Sequence, residues 1–103
     1  MKLIKAEEFS RLYITDSIFL VCFSMNGCPP CVALDVVLPT IDNIDVYKIL
    51  SDTERNRELA KEFGVVGYPT MLIFKDKKVL DRKGGYKNKQ QIEEWVNKYL
   101  NQN

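Results

Sequence analysis

Residues 18–31 read Ile-Phe-Leu-Val-Cys-Phe-Ser-Met-Asn-Gly-Cys-Pro-Pro-Cys, and the rest of the chain can be interpreted outward from this segment. Its first six residues are a continuous run of apolar residues that favour strands, as is typical of a strand covered on both faces in a parallel sheet. Met25-Asn26-Gly27 interrupts the run, and the two prolines that follow are tolerated in the first turn of a helix. The segment therefore predicts a buried strand that leads through a short loop into a helix with two cysteines at its start.

Strands and helices alternate on both sides of this segment. Lys2–Lys5 reads as a short strand or lead-in, and Ala6–Tyr13 as a helix. The elements predicted after the segment are a helix from about Cys28 to Pro39, a strand at Val46–Leu50, a helix at Glu54–Phe63, a strand at Thr70–Phe74, a hairpin partner at Val79–Arg82 and a helix through Ile92–Leu100. This β-α-β-α-β-α-β-β-α order predicts one α/β domain over residues 1–103, with a central mixed sheet and helices on both faces. The polar residues 101–103 are expected to fray.

Composition argues against several functional classes. The 103 residues carry a net charge of +1, which gives no electrostatic footprint for nucleic acid or an anionic membrane. The apolar runs are too short to span a bilayer, and the N-terminus becomes charged too early for a signal peptide. We therefore expect a cytoplasmic protein. Histidine is absent, which argues against Ser/His/Asp and Cys/His hydrolases and removes the usual ligands of catalytic zinc.

The chemistry therefore falls to the three cysteines, Cys22, Cys28 and Cys31. The last two are three residues apart at a predicted helix start, where they can close a small disulfide with little backbone movement. Free N–H groups and the helix dipole at such a position commonly lower a cysteine pKa below its usual value of about 8.5. Cys28 is therefore the expected nucleophile, and the more shielded Cys31 is expected to resolve the mixed disulfide. No metal is predicted, although a metal shared across a dimer, or two unrelated structural cysteines, remain as alternatives.

A second motif, Gly67-Tyr68-Pro69-Thr70, places a proline directly before an apolar strand. Together with the Cys-x-x-Cys at a helix start, this arrangement resembles the thioredoxin family, and the resemblance covers nearly the whole chain. Further matching features are Lys48 in the middle strand, residues 52–60, Phe63-Gly64-Val65, Phe74-Lys75-Asp76 and Gly85.

The resemblance implies a thioredoxin fold and a protein-disulfide reductase that acts in cell redox homeostasis and needs no cofactor beyond its reversible Cys28–Cys31 disulfide. It implies a cis Tyr68–Pro69 bond, beside which backbone groups would pair with an extended substrate chain. Gly67 and Gly85 are expected to belong to this substrate-binding loop region. The expected partners are protein disulfides and an NADPH-dependent thioredoxin reductase, and we expect a monomer.

Three positions depart from the family's pattern. Gly27 stands where typical thioredoxins have tryptophan, and Pro29-Pro30 replaces the usual Gly-Pro in the active-site loop. Cys22 stands where the family carries a buried aspartate that helps to move the resolving proton. Because a neutral thiol cannot act as a carboxylate base near neutral pH, the proton of Cys31 is expected to pass to water, to the nucleophile's thiolate or to a group near Lys48.

Two residues are open to more than one interpretation, and two other functions remain as alternatives. Cys22 is expected to fill core space, with a regulatory or resolving thiol as the alternative. Lys48 is either a snorkelling strand lysine or a charge that biases the titration of the thiols. Gly84-Gly85 suggests a glutaredoxin-like protein recycled by glutathione, although its distance from Pro69 fits thioredoxin better. A redox-silent or metal-binding interaction module of the same fold is the other alternative, and the retained cysteine pair argues against it.

Overall fold

The chain alternates strands and helices in the predicted order. The computed structural model describes residues 1–101, and its elements are β1 (Lys2–Leu3), α1 (Ala6–Tyr13), β2 (Phe19–Ser24), α2 (Pro29–Val37), β3 (Asp45–Leu50), α3 (Glu54–Glu62), β4 (Thr70–Lys75), β5 (Lys78–Gly84) and α4 (Lys89–Leu100). A single 3-10 turn at Leu38–Thr40 follows α2 and contains Pro39. The fraying expected for Gln102 and Asn103 lies outside the described residues.

The five strands form one mixed sheet in the order β1-β3-β2-β4-β5. Both β1 and β2 run parallel to β3, whereas β4 runs antiparallel to β2 and β5 antiparallel to β4. All six residues of β2 are buried, because this strand has a neighbour on each edge and helices over both faces. The continuous apolar run was therefore a correct sign of a central strand.

Successive side chains of β2 point to opposite faces and so belong to two separate cores. Leu20 and Cys22 pack with apolar residues of α2 and α4. Phe19, Val21 and Phe23 pack with apolar residues of α1 and α3 on the other face. The predicted helices on both faces are confirmed, and Cys22 lies on the face that α2 covers.

Element boundaries differ from the predicted ones by a few residues, for local reasons. The helix α3 begins after Thr53, whose hydroxyl accepts a hydrogen bond from the Asn56 amide at 3.1 Å, and it ends just before Gly64, whose φ is +73°. The helix α4 begins at Lys89 because Asn88 and Gln91 form a capping box. Within residues 1–101, no helix is long and apolar enough to cross a membrane.

Candidate active site

The cysteine pair lies where β2 ends and α2 begins. Gly27 turns the chain with a φ of +72°, a conformation that favours glycine. Cys28 is the N-cap of α2 and is half-buried, whereas Cys31 lies one turn further along and is only 2% exposed. The two are joined by a disulfide, with their Cα atoms 5.2 Å apart. Cys28 is therefore the cysteine that a substrate can approach, and Cys31 belongs to the core.

The two prolines change the hydrogen-bond donors around the Cys28 sulfur. Pro29 and Pro30 occupy the first two helical positions and carry no N–H, and the amide of Val32 donates to the Cys28 carbonyl at 3.0 Å. Among the first three helical positions, only Cys31 keeps an amide hydrogen. The start of α2 therefore offers a Cys28 thiolate fewer donors than an ordinary helix N-terminus does.

The predicted proline loop lies against the sulfurs. The Tyr68–Pro69 peptide bond is cis, and the Tyr68 carbonyl oxygen is 3.8 Å from the Cys28 sulfur. The Thr70 hydroxyl donates to the Gly67 carbonyl at 2.7 Å, and the Gly85 amide donates to the Pro69 carbonyl at 2.9 Å. The structure thus brings Tyr68 of the loop close to Cys28. The observed hydrogen bond of Gly85 is to Pro69 and supports the loop itself.

Cys22 is a free thiol enclosed in the core beneath α2. It is 1% exposed and packs in the same cluster as Leu34 and Leu38. Burial raises the pKa of the Cys22 thiol to about 12, since the thiolate would lose its hydration; Lys48 lowers this pKa and Asp35 raises it, by smaller amounts. These properties favour the core-filling interpretation of Cys22.

Lys48 forms an ion pair with a residue that the sequence analysis missed. Its Nζ lies 2.7 and 2.9 Å from the two carboxylate oxygens of Asp35 on α2. The Lys48 side chain is only 14% exposed and that of Asp35 36% exposed. Asp35 is the only charged residue of α2 and follows Cys31 by four residues, which places both on one face of the helix. This four-residue spacing from Cys31 was the sequence signal that could have identified Asp35 as a residue of the site.

Across the described part of the chain, no group of three or more His, Cys, Asp or Glu side chains is arranged to hold a metal ion. The Cys28–Cys31 pair is bonded within one chain. The arrangement found at the start of α2 is that of a Cys-x-x-Cys disulfide at a helix N-terminus.

Comparison with known proteins agrees with this geometry. The thioredoxin family profile matches residues 1–98. The chain belongs to the thioredoxin family. It is 34% identical to the thioredoxin of Bacillus subtilis over 104 residues, covering 97% of this chain and 100% of that protein. It is 29% identical to the thioredoxin of Chlamydia caviae over 102 residues, covering 96% and 98% of the two chains.

Solved structures show the same fold. The thioredoxin of Malassezia sympodialis superposes with a TM-score of 0.82 at 21% identity, covering 95% of this chain and 89% of that one. The thioredoxin of Nicotiana alata gives a TM-score of 0.78 at 25% identity, covering 93% and 90%. The predicted thioredoxin fold is confirmed. With its Cys-x-x-Cys pair in place, this member of the family is a thiol–disulfide oxidoreductase, and thioredoxins need no cofactor.

Proposed function

We propose that this protein reduces protein disulfides by dithiol exchange, with Cys28 as the nucleophile and Cys31 as the resolving residue. The Cys28 thiolate attacks a substrate disulfide, forms a mixed disulfide and releases one substrate thiolate. Cys31 then attacks the Cys28 sulfur, closes the internal disulfide and releases the second substrate thiolate. The observation that carries this assignment is a disulfide that joins a half-buried N-cap position to a core position one turn away.

Substrates dock, in this proposal, as extended chains along Gly67, Tyr68 and Pro69. The Tyr68 carbonyl is close enough to Cys28 for main-chain groups of a substrate to pair beside the reacting sulfur. Apolar side chains next to the two loops support a peptide ligand: Val66 is 98% exposed and Met25 is 42% exposed. Gly27 leaves the approach open, since no atom beyond its two chain neighbours lies within 4 Å of the position its Cβ would take. Gly85 contributes to substrate binding indirectly, because its amide is hydrogen-bonded to Pro69 of the loop.

The proposed recycling partner is an NADPH-dependent thioredoxin reductase. A segment of the Arabidopsis thaliana protein named NADPH-dependent thioredoxin reductase 3 is 32% identical to this chain over 82 residues, which is 16% of that protein. We propose a cytoplasmic, monomeric protein that binds neither nucleic acid nor membranes. A free core cysteine suits a reducing compartment, and the dithiol site is assembled from one chain.

The reduction potential tests this proposal. The protein is equilibrated across dithiothreitol buffers, its thiols are trapped, and mass counting separates the Cys28–Cys31 pair from Cys22. We expect a two-electron midpoint near the value of about −270 mV that is typical of thioredoxin. A midpoint above about −200 mV would instead indicate an oxidase, an isomerase or a glutathione-linked protein. The absence of any reversible two-thiol transition would contradict the proposed roles of both cysteines.

Turnover with each recycling system tests the partner. We expect NADPH oxidation with thioredoxin reductase and a disulfide protein, and little with glutathione and glutathione reductase. Cys28→Ser should abolish turnover, whereas Cys31→Ser should accumulate a mixed disulfide. Cys22→Ala serves as the matched cysteine control and should keep full activity. Sedimentation at several protein concentrations checks the monomer.

A further inference from the structure

The buried resolving cysteine needs a proton acceptor, and the strand beneath it does not supply one. Cys31 must lose its proton before it can attack, because the thiolate is the nucleophile. Cys22, on the strand that α2 covers, has a thiol pKa raised to about 12 by burial and so keeps its own proton at neutral pH. A protein group that accepts this proton would therefore have to lie on another element, and without one the proton passes to water.

Asp35 is a carboxylate in a suitable place. It follows Cys31 by four residues in α2, and residues at this spacing lie on one helix face with their Cβ atoms about 5–6 Å apart. Helical side chains lean toward the helix N-terminus, so the carboxylate leans toward the turn that carries Cys31. The Asp35 side chain is also 36% exposed, which lets it exchange protons with solvent.

Lys48 fixes the position of this carboxylate through an ion pair. Both oxygens of Asp35 lie within 2.9 Å of its Nζ. Lys48 is the register partner of Cys22 in the adjacent parallel strand, so the ion pair stands next to the core position beneath α2. The opposite effects of Lys48 and Asp35 on the pKa of Cys22 are consistent with this closeness.

Among the described residues, the other carboxylate hydrogen-bonded to this core is Asp81 of β5, and it is already engaged by α4. The groups of α4 in the cluster are apolar or indole side chains: Ile92, Trp95 and Val96. Tyr99 of α4 packs at its edge and donates its hydroxyl hydrogen to Asp81 of β5, which also accepts from the Trp95 indole. The charged or titratable groups around this core are thus Cys22 on β2, Lys48 on β3, Cys28 at the N-cap of α2, Asp35 within α2, and Asp81 on β5 with Tyr99 on α4.

We propose that Asp35, positioned by Lys48, accepts the Cys31 proton, directly or through one water, when Cys31 attacks the mixed disulfide. This proposal rests on the proposed roles of Cys28 and Cys31. It places the carboxylate on the helix, whereas the strand position that carries it in the family is occupied here by Cys22.

Protons and electrons are conserved in this step. The proton of Cys31 passes to the Asp35 carboxylate, and the electron pair on the Cys31 sulfur forms the bond to the Cys28 sulfur. The bond between Cys28 and the substrate sulfur breaks, and its electron pair leaves on the substrate thiolate, which takes a proton from solvent. Asp35 returns its proton to solvent through its exposed side. The dithiol loses two electrons, and the substrate disulfide gains them.

Stopped-flow reaction with dithiobis(nitrobenzoate) separates the two attacks. The Cys28 attack releases the first coloured thiolate, and the Cys31 attack releases the second. In Asp35→Asn we expect the second phase to slow by about 100-fold, the low end of general-base effects, while the first phase changes less than about twofold. Asp16→Asn removes an exposed carboxylate just before the opposite end of β2 and should change neither phase.

The pH profile separates a proton acceptor from a structural residue. In the parent protein the second phase should level off across neutral pH, whereas in Asp35→Asn it should rise by about tenfold per pH unit, as for attack by free thiolate. Asp35→Glu keeps a carboxylate and should keep the plateau. The double variant Cys22→Asp/Asp35→Asn moves the carboxylate to the strand beside Lys48 and should regain it.

Any result other than those expected would contradict either the role of Asp35 or the roles of the two cysteines. An unchanged second phase, an equal slowing of both phases, or a slower second phase with the parent pH profile would overturn the role of Asp35. A double variant without a plateau would do the same. A parent protein that shows no second phase would instead contradict the roles of Cys28 and Cys31. A normal first phase and thermal melting show that each variant is folded.

Discussion

Substitution of Pro30 should change the acidity of Cys28 in a direction that the structure determines. Cys28 is the N-cap of α2, and an N-cap side chain accepts hydrogen bonds from the second or third helical amide. Pro30 occupies the second position and lacks that hydrogen. Pro30→Ala therefore restores a donor aimed at the Cys28 sulfur, and it should stabilise the thiolate.

The size of the effect follows from the chemistry of the added bond. A hydrogen bond to a charged group contributes about 1.5–3 kcal/mol in full. Because Cys28 is only half-buried, solvent competes for the thiolate and we take about 1 kcal/mol. At 1.36 kcal/mol per pKa unit, the Cys28 pKa should fall by about 0.7. A more stable reduced form makes the pair a stronger oxidant, so its potential should become less negative by at most about 20 mV.

The rate of iodoacetamide alkylation of reduced Cys28 against pH gives the pKa, and dithiothreitol equilibration gives the potential. Pro29→Ala is the matched control, since it also removes one proline from the loop but restores the first helical amide, which N-cap side chains do not use. Its pKa shift should be smaller. A higher Cys28 pKa in Pro30→Ala, or an equal or larger fall in Pro29→Ala, would refute the reasoning.

Two further predictions use the pKa values of other groups. With a pKa of about 12, Cys22 should stay unlabelled by iodoacetamide at mildly alkaline pH until the protein is denatured, and equal labelling of Cys22 and Cys28 would contradict its burial. The pKa of Asp81 is lowered, chiefly by the hydrogen bond from the Tyr99 hydroxyl and also by that from the Trp95 indole. Its stabilisation is therefore present above the unfolded value of about 3.9 and is lost as pH falls through the lower folded-state pKa. Asp81→Asn should lower the urea midpoint at neutral pH, and the difference should shrink below about pH 3.9; a difference that is constant with pH would contradict this.

Apolar patterns were enough to predict the order of strands and helices, and the cysteine and proline motifs pointed to the thioredoxin fold, but neither predicted the charges around the sulfurs. The apolar run of β2 and the spacing of α1 are local patterns, and both elements lie within one residue of their predicted bounds. The contact of Asp35 with Lys48 joins a helix to a strand and depends on the parallel register of β2 and β3, which periodicity does not encode. The effect of Pro30 on Cys28 likewise required the first helical residue to be known.

Asp35 and position 22 should be energetically coupled through Lys48. A lysine that is 14% exposed needs a negative partner, and with a neutral thiol at position 22 that partner is Asp35. Asp35→Asn leaves Lys48 unpaired, whereas Cys22→Asp alone crowds two carboxylates around one ammonium and buries one of them at a cost. Each single variant should therefore lose stability in urea unfolding. The double variant restores one carboxylate per lysine, so it should be more stable than the sum of the single effects predicts, by about 0.5–3 kcal/mol. Additive effects would show that Lys48 does not link the two positions, and the carboxylate on α2 would then have to be explained without reference to Cys22.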